Sequence, residues 1–292
     1  MQKVIYVPPG AAVTNRKKRV VLAAEEPFIL ASVSGVGGEE NDILSSAAVG
    51  LSGEVFQGIK KQPRPIRCSI TVKGNTLSEM YAERMRLIGL LQVRDKQTGT
   101  LYYENDHIRV CIPAVAKTAG QAGERIRNYN RLTVEFWCAE PDWRSVDEQK
   151  MDIVYQEGQR FTFPTTLNAV RFLLVNSDFI IPYAGTAPAP VTITVCGPSA
   201  APKLRNKTTG QQIRLIRALE IDETLVISTG KGHKSVKLYS GGHVSDAFGY
   251  LDPLSEFWEL VPGNNHIVYG DMEGTVVTNS LSISYYERYA GV

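Results

Sequence analysis

Histidine and cysteine are scarce in this chain, and their scarcity removes most of the chemistry that a sequence can advertise. Four histidines occur in 292 residues, His107, His233, His243 and His266, and none belongs to an HExxH or similar grouping. Each stands near residues that favour turns, where a histidine is ordinarily just solvated. The four cysteines, Cys68, Cys111, Cys138 and Cys196, stand singly, with no CxxC and no Cys/His pair at zinc-ligand spacing. Cys68 and Cys138 fall in phase with apolar strand neighbours, so they are expected as small buried hydrophobes in a chain made in a reducing cytoplasm. No GxSxG elbow supplies a nucleophilic serine. No apolar run approaches the ~18 residues that span a bilayer, and the opening MQKVIYVPPG lacks the apolar core of a signal peptide. Excess charge is missing too: 32 basic against 30 acidic residues leave +2, too little to argue for nucleic acid or an anionic membrane. No catalytic, cofactor-binding or metal-binding residue is assigned on these grounds, no cofactor is expected, and the chain reads as a non-enzyme.

What is present is β patterning with one helix. Thr76–Gln92 begins with a capping-box pair, Thr76 and Glu79, and Leu77, Met80, Tyr81, Ile88 and Leu91 recur at three- and four-residue spacing as an apolar stripe. This helix is expected to brace the strands around it. Ile66–Lys73 alternates cleanly, with Ile66, Cys68, Ile70 and Val72 on one face. Leu101–Tyr103, Ile108–Ile112 and Leu132–Cys138 read as further strands, after Val4–Val7 and Phe28–Val33. Gly35–Gly53 is rich in glycine, serine and alanine and reads as a long loop. Loops of that length work as arms, lids or contacts, so this one is flagged as an assembly arm.

Beyond Ser145–Gly158, a linker or first edge, no helix-length stripe appears. Short strand signals do, at Val170–Val175, Val191–Val195, Gln212–Ile216, Thr224–Ile227, Val236–Tyr239, Phe257–Leu260, Ile267–Tyr269 and Leu281–Tyr285. The fold class is therefore mainly β. An antiparallel β domain with one bracing α-helix spans 1–150, and a β-sandwich of jelly-roll or galectin-like type spans 151–292.

Four stretches invite a chemical reading. The basic run Arg16–Arg19 has no aromatic company and reads as a solvated turn. Thr229–Ser235 (TGKGHKS) resembles part of a phosphate-binding loop, but Gly232 stands where Ser or Thr is required and Leu225 where the first glycine belongs, so a hairpin loop is expected. Glu25-Glu26 and Glu39-Glu40 read as loop charge. Tyr250, Trp258, Tyr285 and Tyr286 are candidates for a sugar-stacking groove, with core or interface packing as the simpler reading.

Several motifs in order resemble the distal tail protein family of long-tailed phages, the siphovirus tail component or Dit group. They are Arg64-Pro65-Ile66 leading to Ile70, Val72 and Gly74; Met80, Tyr81, Arg84 and Leu87 on the helix; and Gly99–Tyr103 with Asn105-Asp106-His107. Phe136–Trp143 follows, then Gly197-Pro198 with Pro202, Asn206 with Thr208–Gly210, Ser255–Asn265 and Arg288–Val292. The glycine-rich Ala119–Gly123 departs from the family's more proline- and aromatic-rich pattern. The resemblance implies a homo-oligomer, a hexameric ring formed by the N-terminal domains at the virion tail tip and assembled in the bacterial host cytoplasm. That ring would link the tail tube protein to the tail-associated or tip hub protein. The C-terminal sandwiches would project outward towards a receptor-binding protein or a host saccharide. The alternative is a carbohydrate-binding adhesin module recognising host cell-wall saccharide.

Overall fold

The structure, a computed structural model, describes residues 2–15, 18–47, 50, 52–92, 97–154, 177–270 and 280–292. The chain divides into two compact units, Met1–Val146 with Tyr289–Val292, and Asp147–Arg288. The last four residues thus return to the first unit, where a division at 150/151 would give them to the second.

The first unit contains β1 (Lys3–Val7), β2 (Val20–Leu22), β3 (Phe28–Ser34), β4 (Asn41–Ser46), β5 (Val55–Lys61), β6 (Arg64–Lys73), α1 (Leu77–Leu91), β7 (Gly99–Glu104), β8 (Arg109–Ile126), β9 (Tyr129–Cys138) and β10 (Trp143–Ser145). Antiparallel pairing runs in the order β2-β1-β7-β8-β9-β6-β3, with β10 against β8. The two ends of that order meet through Ala23, whose amide donates to Phe28 and whose carbonyl accepts from Leu30, so the sheet curls back towards itself and leaves little open edge. Ile66, Cys68, Ile70 and Val72 are fully buried, as their alternation predicts. β8 is much longer than the strand Ile108–Ile112 expected. It pairs with β7 up to Ala114 and then with β9, and its glycine-rich half survives as strand by shifting register repeatedly between Ala116 and Arg125.

The helix forms where the sequence puts it. The Thr76 hydroxyl accepts from the Glu79 amide at 3.1 Å, and the Glu79 carboxylate reaches back to the Asn75 amide at 2.9 Å, one residue earlier than in the usual box. Its buried face differs. Met80, Leu87 and Leu91 enter the core, while Leu77 and Tyr81 are exposed, so the stripe is turned by about 60° from the one expected, at 100° per residue. Apolar residues stand at enough positions to satisfy either stripe. Gly74 helps decide, because its missing Cβ lets the backbone of Met80 pack directly against it.

The second unit contains β11 (Gln149–Val154), β12 (Ser177–Tyr183), β13 (Ala189–Cys196), β14 (Lys203–Asn206), β15 (Gln212–Arg214), β16 (Thr224–Ser228), β17 (Ser235–Ser240), β18 (His243–Asp246), β19 (Glu259–Leu260), β20 (Gly263–Gly270) and β21 (Ser280–Tyr285). One sheet runs β11-β21-β13-β16-β17-β18, with β19 on β13; the other runs β12-β20-β14-β15. Both contribute to a single core, with Val191, Ile193, Ile227 and Ile283 from the first and Ile181, Leu204, Ile213 and Ile267 from the second. This is a β-sandwich. The strand expected at Val170–Val175 lies outside the described residues.

All four cysteines are free. Burial pushes the Cys68 and Cys138 thiols up to about 12, the nearby Arg64 opposing this slightly at Cys138, so neither presents a thiolate. Ellman's reagent is therefore expected to label no more than one thiol per native chain, the half-buried Cys196, and all four after unfolding in guanidinium. Rapid labelling of two or more in the native protein would contradict this packing.

Candidate functional site

The flagged segment Gly35–Gly53 contains a strand, Asn41–Ser46: β4 and β5 pair with each other in register Ile43↔Ile59, Leu44↔Gly58, Ser45↔Phe56 and Ser46↔Val55, with a bulge at Gln57. The two strands form a sheet of their own. Opposed residues share a face and faces alternate along a strand, so Ile43, Phe56 and Ile59 lie on one side and Leu44 and Val55 on the other. All five are exposed, Ile43 to 70% and Phe56 to 62%. An isolated two-stranded sheet is marginal in water, and one apolar on both faces needs cover on both.

The foot of this finger is held firmly. Arg64, itself buried, opens β6 and donates to four carbonyls: Gly35 (2.8 Å), Gly37 (2.5 Å), Pro141 (2.5 Å) and Ala290 (2.5 Å). Burial lowers its pKa, while Asp142, Cys138 and Glu39 pull the other way. Val36 accepts from the Trp143 indole (3.2 Å) and from the Val292 amide (3.0 Å). Lys61 sits between Glu39 (2.7 Å) and Asp142 (2.9 Å). Burial presses its ammonium towards the neutral form, and the hydrogen bonds to Glu39 and Asp142 more than reverse that, leaving its pKa above the ordinary lysine value. Gly35 adopts φ +86°, and a Cβ there would collide with the Pro65 carbonyl, so glycine is required at this corner. A pinned foot under an uncovered apolar finger has the form of a docking element.

A second uncovered surface lies on α1. Leu77, Ser78, Tyr81, Ala82, Met85 and Gly89 are all exposed, Met85 to 73%, and none is charged. Glu79, Glu83, Arg84 and Arg86 occupy the remaining sides, where Arg86 pairs with Glu83 at 2.7 Å and Arg84 donates to Asn130 at 3.4 Å. A helix face left to water normally carries the charges, so this distribution marks the uncharged face as a contact surface.

The other sequence candidates do not converge. All four histidines are exposed and apart, and among the described residues no group of three or more His, Cys, Asp or Glu side chains could hold a metal ion. Thr229–Ser235 closes the β16–β17 hairpin, with the His233 amide on the Gly230 carbonyl at 2.9 Å. Glu26 pairs with Lys73, and Glu39 with Lys61. Arg19 donates to the Val13 carbonyl at 2.7 Å, and Arg16 and Lys17 lie outside the described residues. Of the four candidate groove aromatics, two follow the simpler reading of core packing, while Tyr250 and Tyr286 are exposed. Trp258 is completely buried and Tyr285 nearly so, both in the sandwich core, while Arg217 lies 5.0 Å from the centre of the Tyr250 ring. Phe257 instead borders a cavity of about 320 Å3 with Thr209, Gln211, Lys231, Lys234 and Glu259. The cations there are already engaged, Lys231 with Glu259 at 3.3 Å and Lys234 over the Phe257 ring at 5.2 Å. Among the described residues no helix is long and apolar enough to cross a membrane.

Sequence reasoning read this segment as a loop and missed both strands, Asn41–Ser46 and Val55–Lys61. Val55, Phe56 and Ile59 after Gly53 were the available signal, masked by the small residues before them.

Two β units, one bearing an uncovered hairpin and an uncharged helix face, define a protein built for assembly. Comparison with known proteins gives that class its family. A model described as phage tail protein RIFT-related domain matches residues 16–138, and one described as siphovirus-type tail component, C-terminal domain, matches 184–289. The chain belongs to the siphovirus-type tail component family, the distal tail proteins, and is a component of a phage tail. Among solved structures it resembles Dit of phage SPP1, described as a paradigm of hub adsorption apparatus in Gram-positive-infecting phages, at 14% identity, TM-score 0.67 and 99% coverage of each chain. It also resembles a chain of the phage P2 baseplate in its activated conformation with Ca, at 10% identity, TM-score 0.52, and 100% and 99% coverage. No curated protein matches it by sequence.

Proposed function

We propose that this chain forms a closed ring, of six copies, through its first unit at the distal end of the tail tube. The ring joins the tube protein to the tail-associated hub protein and leaves the second unit free for a peripheral partner. The supporting observation is the β4–β5 finger, apolar on both faces and pinned at its foot. A closed ring needs a heterologous contact in which two different patches of one chain meet on neighbouring copies, and the finger is one such patch. The role is architectural rather than enzymatic; clearing of cell walls in a zymogram would count against that.

Purified full-length protein is expected to run as a ring-sized species by size exclusion with light scattering and to show rings in negative stain. Ile43→Asp with Ile59→Asp is expected to give a folded monomer, with thermal unfolding of the monomer little changed because both side chains are already in water. A wild-type monomer at high concentration that also fails to bind tube or hub protein would overturn the reading. The saccharide-binding alternative is weakened by the burial of Trp258 and keeps only Tyr250 and Tyr286 as exposed aromatics.

A further inference from the structure

We infer that the finger of one copy lies on the uncharged face of α1 of the next copy, with Ile43, Phe56 and Ile59 packed along Leu77, Tyr81 and Met85. This rests on the ring reading and names the partner surface within it.

Charge argues for the pairing. Between Ile43 and Ile59, Glu54 at the tip is the one ionisable side chain, and the arc of α1 that carries Leu77, Ser78, Tyr81, Ala82, Met85 and Gly89 has none. Each surface would bury nothing that needs a counter-ion, whereas contact with a charged surface would strand charge without a partner. Charges stand at the margins of the helix face, with Arg84 on one side, over the Tyr81 ring at 5.6 Å, and Arg86 and Glu79 on the other, where they can stay in water.

Size and shape agree. Six-residue β4 spans roughly 20 Å at about 3.3 Å per residue, and fifteen-residue α1 roughly 22 Å at about 1.5 Å per residue. Ser78, Ala82 and Gly89 give the helix a low shoulder beside the Leu77–Tyr81–Met85 ridge, so a flat ribbon can approach closely. The two patches differ in shape, one a ribbon and one a ridge, which suits a heterologous contact and not a two-fold one. The finger's other face, Leu44 and Val55, is left for a second contact within the assembly.

Paired cysteines test the contact in the full-length chain with Cys196→Ser, which leaves the three buried native thiols. Co-expressed Ile59→Cys and Met85→Cys chains, distinguished by a size tag, are expected to give the mixed disulfide on mild oxidation, and the double variant a covalent ladder ending at the ring. Tyr81→Lys with Met85→Lys is expected to weaken self-association more than tenfold without lowering the melting temperature. Homodisulfides alone, Ile59→Cys to itself or Met85→Cys to itself, would overturn the pairing. Rings that form without the mixed disulfide, or that survive the lysine pair, would overturn it while leaving the ring reading intact. Absence of both rings and disulfide would remove the ring reading as well.

Discussion

Arg64→Ala is expected to lower the melting temperature of the first unit by roughly 6–20 °C. The guanidinium is buried and satisfies four carbonyls from three separate segments, at Gly35 and Gly37, at Pro141 and at Ala290. Removing it leaves four acceptors without their donor at about 1–3 kcal/mol each where water does not replace it, for a net loss of about 3–5 kcal/mol. In a unit of this size each kcal/mol moves the midpoint by roughly 2–4 °C. Arg64→Lys is expected to recover little, since an ammonium has three donors on one atom and cannot span four carbonyls set around a planar fork. Because Arg64 lies in the first unit, calorimetry should show one transition displaced and the sandwich transition in place. An unmoved first-unit transition would mean that the four contacts contribute little.

The second large effect concerns Trp258. Its side chain is fully enclosed in the sandwich core, and Trp258→Ala is expected to destabilise the second unit by about 3–5 kcal/mol through lost burial and the cavity left behind. Trp258→Phe is the informative contrast. The indole Nε1 is buried and finds no acceptor among the described residues, and a donor left so costs about 1–3 kcal/mol. Phenylalanine removes that donor and leaves a small cavity, and the two changes oppose each other. Phenylalanine should therefore lie within about 1 kcal/mol of wild type while alanine is far below. Chemical denaturation followed by far-UV circular dichroism separates the outcomes. A phenylalanine variant as unstable as alanine would show that the indole nitrogen has a partner after all. Enclosure also predicts that titrating cell-wall saccharide leaves the Trp258 fluorescence unchanged.

Much of this architecture was readable before any coordinates. Strict alternation at Ile66–Lys73 and Leu132–Cys138 identified central strands because one face of each is buried, and Thr76 with Glu79 fixed where the helix starts. Three features were not readable, each for a physical reason. The helix carries apolar residues on more sides than it buries, so spacing alone could not select Met80–Leu87–Leu91 over Leu77–Tyr81–Ile88. The β4–β5 finger has no alternation because adjacent apolar residues, Ile43-Leu44 and Val55-Phe56, fall on opposite faces, and a period-two search passes over it. Trp258 and Tyr250 looked equivalent in sequence, and only tertiary packing assigns one to the core and the other to the surface. Of the motifs that carried the family resemblance, Arg64, Pro141 and Ala290 meet at one guanidinium. Their separation along the chain gave no hint that they are neighbours.

The return of residues 289–292 to the first unit bears on timing. Ala290 and Val292 complete the foot of the finger, through Arg64 and Val36, and Gly291 packs against Gly37 and Gly38. During synthesis these residues leave the ribosome only after the whole sandwich has been made. A chain interrupted anywhere in the second unit therefore carries a finger whose base is unfinished. Truncated copies would enter a growing particle at a disadvantage, a form of quality control written into the order of translation.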